Sequence, residues 1–320
     1  MSDTDPLSQF INNISPQCEV FAQIKLRAPW GIEEKQQNCC SFSYLKMGRC
    51  VLEVPGQNPL SLQPGQLLLL PYGSPHRLMS EADVNCKQAS ELFGGKSREM
   101  LELMVVGGKG ASYQLMCGNF VFSPLQHWGY DALMGGLPEV IVLDAPQDSR
   151  LGRLLLWIYQ ENCDGKVGYH LAVQRLLELL LLELLRDLDK FELNPGWLMA
   201  LGDRSLAPVI LAIQQNFSKG WTVEELANLG ALSLSSFSTR FKKITGSSPL
   251  NFVRQWRCFV AAQMLVTGNE SVQQIALKCG FQSNDVFIRN FRQFHQTTPK
   301  QYRMMFQLQL VEHYKNRRFL

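Results

Sequence analysis

The sequence predicts a multidomain α+β protein. An N-terminal β-barrel or sandwich is followed by a helical segment and then by an all-α domain with two helix-turn-helix units. Three observations predict it. Residues 18–145 are cut by Gly/Pro-rich turns into short apolar runs. From Ser149 onward apolar residues recur at helical spacing. The last third repeats itself: Ser233, Phe237, Phe241, Lys242 and Pro249 recur as Ser283, Phe287, Phe291, Arg292 and Pro299, each 50 residues on.

In the N-terminal part the turns "PGQNP", "QPGQ", "PYGSPH", "GGKG" and "GLPE" bound apolar runs such as Leu67–Leu70, Met104–Val106 and Val140–Leu143. Runs of that length between breakers read as strands. This sets a first domain over residues 1–148. Two helices, Arg150–Glu161 and Leu171–Leu188, are joined by "NCDGKVG" and make a second segment over 149–190. The Leu-rich helix has apolar residues on more than one face, so it packs against the barrel or forms a dimer seam. Pro195 and Gly196 mark a linker over 191–205. The duplicated helical domain spans 206–305, and 306–320 is a C-terminal tail, either a helix extension or disordered.

Charge follows the same division. The chain of 320 residues has net charge +3, but residues 200–320 carry +9 and residues 1–199 carry −6. A basic C-terminal domain behind an acidic one fits nucleic-acid binding confined to that end. "MSDTDPLSQF" has neither a basic start nor an apolar core, and the Leu-rich stretch 176–188 is broken by charges, so neither export nor a membrane span is expected. Nine cysteines without CxxC spacing are expected as reduced thiols in a cytoplasm.

Each repeat opens with a capping box, Thr222 to Glu225 and Ser271 to Gln274. Leu226–Ala227 and Ile275–Ala276 then pack inward, with alanines that let the next helix approach. Gly280 makes the turn of the second copy, where a left-handed residue is needed. The first copy has Ala231 at that place, and Gly230 beside it is the residue expected to make its turn. In the helices after the turns, Phe237, Phe241 and Ile244, then Phe287, Phe291 and Phe294, lie on one face as core residues. The opposite faces carry Ser235, Ser238, Thr239 and Lys242, then Asp285, Ile288, Arg289 and Arg292. Side chains early in such a helix meet base edges, where Arg can hold guanine and Ile a thymine methyl. A merely solvated face stays open as the alternative, for Ser235 and Ser238 more than for Arg289. Arg240, Lys242, Lys243 and Arg292 are expected on phosphates. Pro249 starts a connecting helix that stops at Gly268, in which Arg257, Ala261 and Leu265 are read as packing residues.

The segment "WTVEELA … LSLSSFSTRFKKITGSSPLNFVRQWR … AAQML … SVQQIALKCGFQSNDVFIRNFRQFHQTTPKQYR" resembles the DNA-binding domain of the AraC/XylS family of bacterial transcription regulators over roughly 206–305. The resemblance implies seven helices, two helix-turn-helix units, and asymmetric or direct-repeat promoter sites. Its base-reading positions fall here on Ser235, Ser238, Thr239, Asn284, Asp285, Ile288 and Arg289. It further implies double-stranded promoter DNA and RNA polymerase as partners, a homodimer, and activation of transcription.

Residues 65–76, "GQLLLLPYGSPH", place Gly65, Pro71, Gly73 and His76 at the spacing of the second conserved motif of cupins, with Ser80 in place of its closing Asn. The domain therefore resembles the cupin-like sensing domains of AraC-type regulators, and "GLPEVIVLD" their closing strand. Cupin metal sites also need paired histidines and a carboxylate upstream, and residues 40–60 contain no histidine. No metal or other cofactor is expected; His76 is a turn or effector-pocket residue, and His127 and His170 stand isolated. No phosphate loop, nucleophile elbow or metal motif marks a catalytic site. Two signals compete: a small molecule in the barrel, or a thiol switch for which Cys18 and Cys117, on first and late strands, are the candidates. The competing class is a metal-free cupin enzyme or small-molecule carrier with an accessory DNA domain.

Overall fold

The computed structural model describes residues 17–37, 39–94, 96, 104–121, 136–186 and 196–305, with residues 5, 7, 8 and 11. The tail 306–320, residues 187–195 and His127 lie outside them. The described residues fall mainly into two compact units, 17–121 with 137–186, and 196–305.

The first unit is β-rich with two helices. In order it comprises β1 (Gln17–Arg27), β2 (Gly31–Glu34), β3 (Cys40–Met47), β4 (Cys50–Glu53), β5 (Leu60–Leu62), β6 (Gln66–Leu70), β7 (His76–Met79), β8 (Lys87–Gln88), α1 (Ala89–Phe93), β9 (Val105–Gly107), β10 (Ser112–Val121), β11 (Ile141–Asp144), α2 (Arg150–Asp164) and α3 (Tyr169–Arg186). One sheet has the order β11-β6-β3-β10-β1-β9 and the other β5-β4-β7-β2-β8. Between them lies a core that includes Leu26, Trp30, Leu52, Leu68, Leu78 and Leu115. The run Leu67–Leu70 is buried at every position. Leu68 and Leu70 join that core, and Leu67 and Leu69 are buried on the opposite face, as a continuous apolar strand requires. α2 begins at Ser149, whose hydroxyl accepts from the Gly152 N–H at 2.9 Å, and ends at left-handed Gly165. α3 buries Val173, Leu177, Leu180, Leu181 and Leu184 and packs on α2 and β1.

The second unit is all-α: α4 (Trp197–Leu201), α5 (Ala207–Gln215), α6 (Val223–Leu229), α7 (Leu234–Thr245), α8 (Pro249–Thr267), α9 (Val272–Lys278) and α10 (Asn284–His295), with helical residues 299–305 after it. The linker expected over 191–205 is corrected here for its second half. Trp197, Leu198 and Ala200 are buried in α4, and the Gly196 N–H donates to the Ile244 carbonyl at 2.8 Å at the end of α7. These apolar residues make 196–205 part of the α-helical unit.

Both capping boxes form, on Thr222 with Glu225 and on Ser271 with Gln274. Leu226, Ala227, Ile275 and Ala276 are buried as expected. The turn of the first copy differs from its expectation. Ala231 itself takes the left-handed conformation at φ +52°, while Gly230 stays right-handed at φ −79°. Gly280 does the same work in the second copy at φ +78°. One residue lies between Ala231 and the cap Ser233, and two lie between Gly280 and the cap Ser283. That extra residue, Gln282, is why the lead helices repeat at an offset of 49 and the following helices at 50.

Candidate nucleic-acid interface

α7 and α10 each start at a serine cap. Ser233 accepts from the Ser236 N–H, and Ser283 from the Val286 N–H. Such caps satisfy donors that would otherwise be bare at the start of each helix. Phe237, Phe241, Phe287 and Phe291 are fully buried, so the aromatic faces are core; the opposite faces are largely exposed, with Ser238 and Ile288 half-buried and Ile288 packed against the core. Phe287 and Phe291 stack edge-on at 5.5 Å, and Phe291 meets Tyr302 at 5.2 Å, which pins α10 against the helical end 299–305.

On α10, Asp285, Ile288, Arg289 and Arg292 line one open surface together with Gln293. Asn284 is the exposed first residue of the helix. Gln293 was not among the expected residues; its position one turn beyond Arg289 is the signal that identifies it. On α7, Ser235, Thr239, Lys242 and Lys243 are exposed and Ser238 is half-buried. The two faces differ chemically: α7 offers hydroxyls followed by two lysines, and α10 offers a carboxylate, a branched apolar side chain and two guanidinium groups.

Arg240, expected on phosphate, is paired with Asp203. Its Nε and Nη2 donate to Asp203 Oδ2 at 2.9 and 2.5 Å. Asp203 Oδ1 meanwhile accepts from the Ser205 and Leu206 N–H groups at the start of α5. Burial alone would raise the Asp203 pKa; the hydrogen bonds from Arg240, Leu206 and Ser205 outweigh it and hold the carboxyl below its ordinary value. The Arg240 guanidinium is thus tied to a buried carboxylate while half of its own side chain stays exposed at the surface.

The cupin-like motif builds a cavity. Gly73 turns at φ +59° where a Cβ would lie 2.4 Å from the Gln37 carbonyl oxygen, so the chain passes too close for a side chain. Three residues on, His76 opens β7 opposite Glu34 of β2. Its Nδ1 lies 3.0 Å from the Ser74 carbonyl oxygen. Burial, opposed by that hydrogen bond, lowers the His76 pKa. Burial also raises that of Glu34, against a hydrogen bond donated by Gln37. The pair forms a wall common to two spaces. One is a cleft of about 310 Å³ bordered also by Glu33, Glu53 and Arg77. The other is an interior space of about 30 Å³ bordered by Ser43, Leu115 and Asn119. Asn119 Oδ1 is buried there with no hydrogen-bond partner. Among the described residues no group of three His, Cys, Asp or Glu is placed to hold a metal ion.

Cys18 and Cys117 do not come together. β1 and β10 pair antiparallel, so the first and late strands meet. The register puts Cys18 opposite Phe120 and Cys117 opposite Ala22. Phe120 and Cys117 point to opposite faces of β10, because strand side chains alternate. Cys117 lies in the barrel core, where Ser43 Oγ lies 3.3 Å from its Sγ. Burial pushes the Cys18 thiol up to about 12, helped by the nearby Glu178 charge. Burial likewise lifts Cys117 to about 11, against the Ser43 hydrogen bond. The register thus keeps the two thiols apart, and burial disfavours the thiolate of each.

Comparison with known proteins agrees with the architecture. A family model described as Cupin matches residues 5–188, and one described as Helix-turn-helix domain matches residues 226–305. An uncharacterised HTH-type transcriptional regulator of Haemophilus influenzae is 28% identical over 89% of this chain and 93% of its own length. The HTH-type transcriptional regulator AlkR of Acinetobacter baylyi is 26% identical over 93% of this chain and 99% of its own. Among solved structures, the DNA-binding domain of AdpA in complex with a target DNA is 30% identical, covering 34% of this chain and 96% of that one, with a TM-score of 0.32. The first two of these relatives are named as transcription regulators. Among the described residues no helix is long and apolar enough to cross a membrane. A cupin match over more than half of the chain, followed by two capped helix-turn-helix units, makes this chain a member of the AraC family of helix-turn-helix transcription regulators with an N-terminal cupin domain.

Proposed function

We propose that the chain is a cytoplasmic activator that reads two half-sites of a promoter, one with each helix-turn-helix unit, under control of a small molecule bound by the cupin domain. The observation that carries the reading is the face of α10, where Asp285, Arg289, Arg292 and Gln293 stand open and Ile288 is half-buried beside them, opposite a buried Phe287–Phe291 edge. Ser235, Ser238, Thr239, Asn284, Asp285, Ile288 and Arg289 read bases; Lys242, Lys243 and Arg292 hold phosphates. Arg240 is not in that set, since Asp203 holds it.

The cleft at Glu34 and His76 supports a small-molecule signal over a thiol switch. Its volume of about 310 Å³ lies within the range of ligand sites. The sensing domain is taken as residues 1–148 and the helical segment 149–190 as the dimer seam, where Trp157, Leu171 and Leu179 are exposed. RNA polymerase is the partner through which an activator acts.

Genome-wide footprinting of the full-length chain, paired with selection of binding sites from random duplexes in vitro, tests this. Discrete promoter footprints sharing the selected sequence are expected. Occupancy without a common sequence overturns the reading, and a metal-free carrier or enzyme with an accessory DNA domain then takes its place. Transcription from such a promoter with purified polymerase should rise on adding the protein; a fall makes it a repressor.

A further inference from the structure

Arg257, in the middle of α8, directs its whole guanidinium at backbone carbonyls. Nε donates to Phe217 at 2.7 Å, Nη2 to Lys219 at 2.6 Å and to Ser218 at 3.4 Å, and Nη1 to Gly280 at 2.9 Å. The first three carbonyls belong to the turn that leads into Thr222, the cap of the first helix-turn-helix unit. The fourth belongs to the turn of the second unit. The same two turns also touch directly: a Cβ on Gly280 would lie 2.3 Å from the Ser218 carbonyl oxygen. Arg303 offers the contrast. It donates to Leu265 at 3.1 Å and Glu270 at 2.6 Å, both on the approach to the second unit alone.

A guanidinium is planar, with five donors in fixed directions. Three carbonyls on one side and one on the other therefore hold the two turns at one angle. A lysine could follow either turn if they swivelled, because its ammonium has no plane. The helix α8 fixes how far apart the units are; the clamp fixes how they are turned about it.

We propose that Arg257 is a specificity-determining positioning residue: by locking the angle between the two units it sets the spacing between half-sites that the chain accepts. The proposal rests on the two-unit reading above.

The test uses the full-length chain, the duplex selected in vitro, and versions of it with one base pair added or removed between the half-sites. One base pair turns the second half-site by about 34–36°. For the wild type each change should weaken binding about tenfold or more, as a lost specific contact does. Arg257→Lys keeps the charge and should bring that ratio to about threefold or less, with its salt dependence unchanged. Gly280→Ala, which pushes the Ser218 carbonyl off the clamp, is a second variant expected to relax spacing in the same sense. Circular dichroism establishes which variants are folded at the temperature of the assay. Equal weakening on every spacer, with discrimination intact, in whichever variant folds shows that Arg257 only supports the fold and overturns the proposal. A wild type indifferent to scrambling of one half-site overturns the two-unit reading, and this proposal with it.

Discussion

Ala231 and Gly280 hold the same place in the two turns, both left-handed, at φ +52° and +78°. In each, the next residue closes the helix end: the Leu232 N–H bonds to the Ala227 carbonyl and the Phe281 N–H to that of Ala276. This is the paired-bond motif that satisfies the last carbonyls of a helix. An alanine in the left-handed region is strained by its Cβ, whereas glycine is not.

The two sites should therefore respond oppositely to exchange. Ala231→Gly should stabilise the domain by about 0.5–1 kcal/mol, the relief of strain less the extra chain entropy of glycine. Gly280→Ala should destabilise it by about 2 kcal/mol or more, since strain adds to the collision with Ser218. Urea unfolding of both variants checks this. Two shifts of the same sign would refute the account of the turns.

Asp203 and Arg240 supply a prediction with a pH signature. The folded-state pKa of Asp203 is lowered, so its contribution to stability is fully present above its ordinary value and disappears as pH falls through the folded value. Asp203→Asn keeps the oxygen that accepts from Ser205 and Leu206 but removes the charge. It should melt at a lower temperature than wild type at neutral pH, and the gap should close below about pH 4. A gap that persists in acid would mean that the carboxylate charge is irrelevant and only shape was lost.

Much of this architecture was legible in the residues, and the reasons are local. A capping box needs only two side chains three positions apart, so Thr222 and Ser271 announced themselves. Phe237, Phe241, Phe287 and Phe291 follow one helical period, so their burial was readable too. What escaped depends on contacts far along the chain. The partner of Arg240 is 37 residues away and that of Gln66 on β11 is 78 away. No periodicity carries such pairings. Trp197 and Leu198 looked like linker because Pro195 and Gly196 precede them; α7, which buries them, comes 36 or more residues later. For Cys18 and Cys117 the meeting of β1 with β10 was foreseeable, but register was not. A register shift between Val20 and Ala22 shows that strand pairing cannot be counted off the sequence.

Thiol chemistry follows from burial. Of the nine cysteines, Cys163 is exposed, Cys18 and Cys86 are half-buried, and the others are buried. Alkylation of the native protein should label Cys163 first, with the buried thiols reacting only after unfolding. Oxidation should leave no bridge between Cys18 and Cys117. Mass spectrometry after differential labelling reads both, and a peptide pair linking those two residues would overturn the strand register as well as the chemistry.

The difference between reading and holding DNA is the sharpest expectation. Arg289 stands among Asp285, Ile288 and Gln293 on the open face of α10, where a guanidinium can meet a guanine edge. Arg289→Ala should weaken specific binding by about 1–3 kcal/mol and relax preference at one base position. Lys242 is exposed in the last turn of α7, too late in the helix to reach a base edge easily. Lys242→Ala should weaken binding to all sequences alike and lower the slope of log affinity against log salt by about 0.9, one phosphate contact. Arg240→Ala is the control. Its charge is already engaged by Asp203, so the salt slope should hold while thermal stability falls. Titrating all three variants against a panel of single-base operator changes at two salt concentrations separates the roles. If Arg289→Ala and Lys242→Ala give the same profile across that panel, the assignment of base readers and phosphate contacts is wrong. If Arg240→Ala flattens the salt slope as Lys242→Ala does, the ion pair with Asp203 opens on DNA and Arg240 returns to the phosphate set.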